Sequence, residues 1–282
     1  MENLIIYFES IPSSIRTIFI VFGLSFFLIL EKGIPSIHFE YKKFNHGLLN
    51  LSLTIMTLLI NLVGAGLIFK TAEYNLSNQA GLINLSQIVD MPLWFKVIIA
   101  IIVLDFIGAW LIHMLEHKIK FMWLFHIIHH TDQNVDVTTG LRHHPIEAVF
   151  RLTFTTIAVL FSGATIGIVM LYQTISAFAA HFSHANFETP KKYDKLLSWI
   201  FVTPRFHRLH HHYVLPHTDH NFGNIFSIWD HLFRTNTHVG ELDNVQFGLD
   251  THMNQHEINS LKNLLLIPFQ KYRKPVGTKF SD

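Results

Sequence analysis

The chain has 282 residues, of which 50% are hydrophobic and only 15% are charged, and its mean hydropathy is +0.32. These values exceed those of typical soluble domains and favour a membrane protein with a modest polar portion. The net charge of +1 argues against nucleic acid as a partner, and the absence of cysteine excludes disulfides, thiolate zinc sites and iron–sulfur clusters on this chain. Histidine is unusually frequent, with 21 residues.

Three apolar stretches in the first 112 residues predict membrane-spanning helices. Residues 17–30 are short for a span of about 20 residues, whereas residues 48–69 and 91–112 are long enough. The polar residues 70–90 between the last two stretches predict a loop. Asp105 precedes His113 by eight residues and faces broadly the same side of the helix, so we expect it either to orient a histidine or to hydrogen-bond another helix.

A further uncharged stretch, residues 152–180, covers 29 positions and would measure about 44 Å as one helix, against a hydrocarbon core of about 30 Å. We predict that it forms a hairpin of two short helices at about residues 149–180, with a turn near Gly163 and Gly167. A hairpin returns the chain to its starting side. This return is required if the histidines before and after the stretch form one site.

Basic residues near the predicted spans are concentrated on the histidine side, which carries Lys118, Lys120, Arg142 and Arg151. By the positive-inside rule, this side faces the cytoplasm. We therefore predict an all-α, multi-pass integral membrane helical bundle with a cytosolic, histidine-rich helical cap that holds a dinuclear metal site. The expected division is N-terminal transmembrane helices in residues 1–112 and a catalytic region, including the hairpin, in residues 113–282.

The histidines fall in clusters whose spacing of three or four residues places them on one face of a helix. Neutral imidazole binds zinc, copper, iron and nickel, whereas calcium and magnesium prefer oxygen ligands. Nine or ten histidines are too many for one four-coordinate ion, so two metals are the simpler interpretation. The candidate ligands are His113, His117, His126, His129, His130, His184, His207, His210 and His211, with His181 or His144 as a tenth.

Five histidine motifs follow one another along the chain: HMLEH from His113, WLFHIIHH from Trp123, RHHPIE from Arg142, HAN from His184 and TPRFHRLHH from Thr203. Together they closely resemble the sterol desaturase/fatty acid hydroxylase superfamily over about residues 104–235. The resemblance implies an integral membrane enzyme with a non-haem centre of two iron ions, which uses O2 and two external electrons to hydroxylate or desaturate a lipid.

The same resemblance assigns the ligands and the partners. Carried over by position, the nine histidines listed first are the metal ligands, and His144 matches a further family position. The implied partners are the bilayer, a lipid substrate, and an external ferredoxin, cytochrome or reductase. The substrate is left open among a sterol, a fatty acyl chain, a carotenoid and an ether lipid.

Two other functions also stay open, because spacing alone does not separate iron from zinc. Zinc would accept the same ligands, and it could be the metal found in the purified protein, but it has no redox chemistry and would indicate a membrane hydrolase. A divalent-metal transporter is less favoured, since transporters place ionisable residues within several spans, and here they gather past the helix ends.

Charged residues outside the clusters have two expected roles. Asp105 or Asp219 is expected to steady the histidines as a hydrogen-bond acceptor. Three arginines beside the motifs are expected either to bind an anionic lipid head group or the electron donor, or to form interfacial or structural hydrogen bonds: Arg142, Arg205 and Arg208. His252, in the polar C-terminal tail, is expected to be solvated.

Overall fold

The structure is a computed structural model, and it describes residues 1–85, 88, 90–215, 217–237 and 245–280. Every regular element within these residues is helical, as the sequence predicted. The helices are α1 (Glu2–Ser10), α2 (Ser13–Gly33), α3 (Lys43–Asn78), α4 (Leu93–Asp105), α5 (Ile112–Lys118), α6 (Lys120–His130), α7 (Pro145–Ser162), α8 (Ile166–His184), α9 (Lys191–Leu197), α10 (Pro204–His210), α11 (Ile228–Leu232), α12 (Gln255–Ile258) and α13 (Leu261–Leu266).

Five helical segments are long and apolar enough to cross a membrane: α2, α3, the continuous segment from α4 to α5, α7 and α8. A π-helical stretch, Phe106–Leu111, joins α4 to α5. The protein is therefore a multi-pass membrane protein, and all three spans predicted in the first 112 residues are present.

The predicted loop over residues 70–90 is wrong at its start, because α3 continues to Asn78. The extension is held by a stripe of buried residues, Ile68, Ala72 and Asn75, which lies on one face of the helix. The side-chain amide of Asn75 donates to the Val159 carbonyl of α7 at 2.7 Å. A polar residue with a buried partner therefore continues the helix where composition alone predicted a loop.

The uncharged stretch after Leu152 is divided into α7 and α8 at the place where we expected a turn. Gly163 closes α7 in the left-handed conformation, with φ of +79°, which a residue without Cβ adopts readily. A Cβ at this position would also lie only 2.6 Å from the Ala80 carbonyl oxygen. Because α7 and α8 run in opposite directions, the start of α7 and His184 at the end of α8 lie on the same side of the membrane.

Among the described residues the apolar core forms three clusters, the smallest of which packs α2 against the end of α8 through Phe27 and Ala185. One cluster joins α4, α7, α8 and α1 through residues such as Leu104, Val159 and Ile168. A second cluster joins α3 and α6 to the C-terminal segment, where Leu249 and Leu264 are fully buried. The C-terminal segment therefore covers α6, which carries three of the candidate ligands.

Candidate metal centre

The structure brings the nine main candidate histidines together in two adjacent groups, without His144 or His181. Within each group, one ligand nitrogen from every histidine lies within 4.8 Å of the others. All nine are buried, with no more than 7% of any residue exposed. The first group contains His113, His117, His126, His130 and His210, and the second contains His129, His184, His207 and His211.

Two short helices contribute to both groups and so place the groups side by side. On α6, one helical turn separates His126 from His130, which both join the first group, while His129 points to the second. On α10, His207 belongs to the second group and His210 to the first. The groups therefore form one site with two centres.

Backbone carbonyls fix the orientation of three imidazoles. His113 Nδ1 lies 2.8 Å from the Phe222 oxygen, His184 Nδ1 lies 2.8 Å from the Ala180 oxygen, and His210 Nδ1 lies 2.7 Å from the His220 oxygen. Since a carbonyl oxygen only accepts, each Nδ1 carries the proton. Each Nε2 is then a free lone pair, which is the form that binds a metal.

The free Nε2 atoms face one another at short range. His113 Nε2 lies 3.2 Å from His126 Nε2, and His184 Nε2 lies 3.2 Å from His129 Nε2. His126 donates from Nδ1 to a carboxylate, so its Nε2 has no proton to share with His113. The lone pairs of the His113–His126 pair repel at this distance unless a cation lies between them, so this donor set fits a bound metal ion better than it fits a hydrogen bond between the two histidines.

Burial keeps the imidazoles outside the membrane spans neutral. Desolvation, followed by the effect of neighbouring histidines, lowers the pKa of His129, His130 and His210 well below the ordinary value of 6.5. For His126, desolvation lowers the pKa to about 3, although the nearby Glu147 carboxylate opposes the change. Neutral imidazole is therefore available as a ligand at physiological pH.

A buried carboxylate, Glu147, supports the first group. Its Oε1 accepts from His126 Nδ1 at 3.0 Å and from Arg151 Nε at 2.8 Å. Arg151 also donates to Glu116 Oε2 at 2.6 Å, so two buried carboxylates share one guanidinium. We did not predict the role of Glu147. The signal was available, since this glutamate ends the RHHPIE motif in the first turn of α7.

The two aspartates predicted to steady histidines have different environments. Asp219 Oδ1 lies 3.3 Å from His117 Nδ1 and acts as expected. The histidine-orienting role expected for Asp105 is wrong, because this side chain accepts from Trp229 Nε1 at 2.9 Å and from the Ile225 amide at 3.3 Å. Eight residues correspond to about 12 Å along the helix axis, which leaves Asp105 too deep to reach a histidine.

The two candidates for a tenth ligand lie outside both groups. His144 caps α7, where its Nδ1 accepts from the Ile146 amide at 3.1 Å, and its ring packs beside Phe125. His181 is buried beside α2, where a Cβ at Gly23 would lie 3.3 Å from its Nδ1, and this nitrogen has no hydrogen-bond partner. Neither geometry supports a ligand role. His143 instead approaches the centre, since its ring stacks on His129 with the centroids 4.5 Å apart.

A cavity of about 310 Å³ gives access to both groups from the side of α7 and α8. Four candidate ligands line it, namely His113, His129, His184 and His207. Its remaining wall includes Tyr172 and Gln173 of α8 and Asn224, which lies in the segment before α11. The cavity therefore lies between the histidines and the membrane helices α7 and α8.

The fold and the site define a class, the multi-pass helical membrane protein with a buried, histidine-rich candidate metal centre. The family model for fatty acid hydroxylases matches residues 97–235, which include all nine clustered histidines. The chain belongs to the sterol desaturase/fatty acid hydroxylase superfamily. No solved structure matches it with significance.

Curated relatives share this region with the chain. The chain is 31% identical over 144 residues to ornithine lipid hydroxylase OlsE of Rhizobium tropici. The aligned residues cover 51% of this chain and 42% of the relative. The chain is 28% identical over 217 residues to alkylglycerol monooxygenase of Xenopus tropicalis, with 76% and 45% covered. The human alkylglycerol monooxygenase is 27% identical over 165 residues, with 58% and 34% covered. The aligned regions thus span less than half the length of each of these relatives.

Proposed function

We propose that the protein is a membrane-bound lipid hydroxylase whose nine clustered histidines hold two iron ions. In the proposed reaction, a lipid C–H bond, O2, two electrons and two protons yield a C–OH group and one water molecule. Iron, when bound, supplies the redox chemistry that activates O2, which zinc does not have. The five histidines of the first group and the four of the second are the proposed ligands.

The observation that carries this proposal is the set of opposed Nε2 atoms. Backbone carbonyls hold the proton of His113 and His184 on Nδ1, and each free Nε2 points at another imidazole 3.1–3.2 Å away. The His113–His126 pair costs free energy without a cation, which supports a bound metal at this centre. Two adjacent groups, rather than one, favour a centre with two ions.

The protein itself positions the lipid and limits access of water. The cavity beside His113 and His184 is open toward the membrane helices, whereas α6, α10 and the C-terminal segment cover the other sides of the histidines. A lipid in this cavity brings its C–H bond to the centre without leaving the membrane. Exclusion of bulk water protects a reactive centre from side reactions.

The electrons come from a separate protein in this proposal, either a ferredoxin, a cytochrome or a reductase. The histidine side of the membrane carries Lys118 and Lys120, and the positive-inside rule supports a cytoplasmic location for this side. We keep the proposed division into membrane helices in residues 1–112 and a catalytic region in residues 113–282. Hydroxylation is favoured over desaturation because the curated relatives are a lipid hydroxylase and alkylglycerol monooxygenases.

The proposal is tested by supplying 18O2 to the iron-loaded protein with membrane lipids and a chemical or enzymatic source of electrons. We expect a lipid product that carries one labelled oxygen, and no product from a His129→Ala/His210→Ala variant, which lacks one histidine of each group. Product formed by the zinc-loaded protein without O2 would instead support a hydrolase. A product that has lost two hydrogens and gained no label would identify a desaturase.

A further inference from the structure

A second chamber lies next to the cavity at the histidines, deeper among the membrane helices. It has a volume of about 460 Å³ and shares His143, Arg151, Thr155 and Gln173 with the histidine cavity. Since four side chains line both spaces, the two chambers adjoin each other. A molecule bound in the second chamber therefore reaches the candidate metal centre directly.

The second chamber has several polar side chains in its lining although it lies between membrane helices. Helix α3 contributes Thr57 and Asn61, α7 contributes Thr155, and α8 contributes Gln173. A hydrocarbon chain would be better matched by apolar walls, because polar groups that lose water need hydrogen-bond partners. The lining therefore suits a ligand that carries hydrogen-bonding groups.

An arginine without an acidic partner stands at the far end of this chamber. Arg16 Nε is buried and has no hydrogen-bond partner, one terminal nitrogen faces the Met170 thioether, and the other lies 3.4 Å from the Ser13 hydroxyl. Within the residues that the structure describes, no carboxylate lies within 4.0 Å of this guanidinium. A partly buried cation whose direct contacts are all neutral is costly and favours an anionic ligand.

Beyond Arg16 the lining becomes mostly apolar. Arg16 also borders a third cavity of about 600 Å³, whose wall includes Phe8, Ile11, Phe69 and Ile166 together with one carboxylate, that of Glu9, which does not pair with Arg16. The molecule thus offers, in order, the histidines, a partly polar chamber, the Arg16 cation and a mostly apolar cavity, while Arg151, which also lines the chamber, is already paired with Glu116 and Glu147. This order matches a lipid whose head group lies toward the histidines and whose apolar chains lie beyond the cation.

We propose that the polar chamber binds the head group of an anionic membrane lipid, with the anionic group held by Arg16 and the apolar chains in the outer cavity. The oxidised carbon then lies in or beside the head group, and sterols and carotenoids, which have no anionic group, are not substrates. Arg142 does not compete for this role, since it is 1% exposed and donates to Asn50 and Thr131 within the protein. The statement about the oxidised carbon rests on the proposed function, whereas the statement about lipid binding does not.

The test counts lipid bound per chain by native mass spectrometry, using the metal-loaded full chain in mild detergent without reductant. We expect wild-type protein to bind dioleoyl phosphatidic acid about tenfold more tightly than dioleoylglycerol, which has the same chains and no charge. Arg16→Gln should abolish this preference, and Arg16→Lys should retain most of it. Lys70→Gln, which removes an exposed charge from α3 outside all three cavities, should leave the preference unchanged.

Three results would overturn the inference. These are equal binding of the two lipids by wild-type protein, an unchanged preference in Arg16→Gln, or an equal loss in Lys70→Gln, which would indicate general surface attraction. Inorganic phosphate is added as a competitor, and displacement of the lipid at equal concentration would identify a site for a free anion. Because binding is measured without turnover, a failure to hydroxylate any lipid would refute the proposed function and leave this result intact.

Discussion

Replacement of Glu147 by glutamine tests how far the hydrogen bond that Glu147 accepts from His126 controls metal affinity. The carboxylate accepts from His126 Nδ1 at 3.0 Å, and glutamine has the same shape with a neutral acceptor. A hydrogen bond to a charged group contributes about 1.5–3 kcal/mol and a neutral one about 0.5–1.5 kcal/mol. Replacing the charged acceptor with a neutral one therefore removes about 1.4 kcal/mol from the hydrogen bond that orients His126. This loss corresponds to a tenfold weaker metal affinity at the first group.

The assay is metal retention after dialysis against a graded series of chelator concentrations. Because Glu147 contacts His126 of the first group, we expect Glu147→Gln to lose one metal about tenfold more readily and to retain the other as wild type does. Glu257→Gln is the matched control, since Glu257 pairs with Arg273 at 2.5 Å in the C-terminal segment, outside both groups. If Glu147→Gln retains both metals within twofold of wild type, the carboxylate does not tune the centre.

Four further outcomes are expected. Removal of metal with a chelator should lower the melting temperature, and restored iron should raise it again, because each site occupied at 100 times its dissociation constant adds about 2.7 kcal/mol. Asp105→Asn should lower the melting temperature and leave the metal content unchanged, since its partners are Trp229 and backbone amides; loss of metal at an unchanged melting temperature would contradict this. His144→Ala should cost about 1 kcal/mol as a lost helix cap and retain all metal, and a fall in metal content would make it a ligand. Burial and then the charge of Arg273 lower the pKa of His252 to about 4. The contribution of His252 to the free energy of unfolding is therefore fully present above about pH 6.5 and falls by up to about 3 kcal/mol as the pH decreases toward 4. In melting measured against pH, His252→Gln should flatten this dependence, and equal slopes for variant and wild type would refute the assignment.

The sequence was sufficient for the fold class and for the nine clustered histidines. Imidazoles three or four residues apart on a helix share a face wherever that helix lies, so His126 and His130 were assignable from spacing alone. The hairpin was assignable as well, because a helix through residues 152–180 exceeds the thickness of the bilayer, and Gly163 is the residue that can turn it.

Features that depend on a partner distant in the sequence were not accessible in this way. Asp105 and Asp219 are alike as residues, and only the positions of Trp229 and His117 decide which of them meets a histidine. His252 lies in a polar tail and was expected to be solvated, which is wrong, since the structure leaves it 3% exposed. The isolation of Arg16 depends on the packing of α2 against α8, which hydropathy does not encode.

The most direct test of the account is the identity and number of metal ions per chain in protein purified in mild detergent and reconstituted with iron under reducing conditions. We expect about two iron ions in the wild type, and about one in a variant that lacks two ligands of one group, either His117→Ala/His210→Ala or His184→Ala/His207→Ala. Stoichiometric zinc that iron does not replace, or a metal content that neither variant changes, would contradict the proposed iron centre.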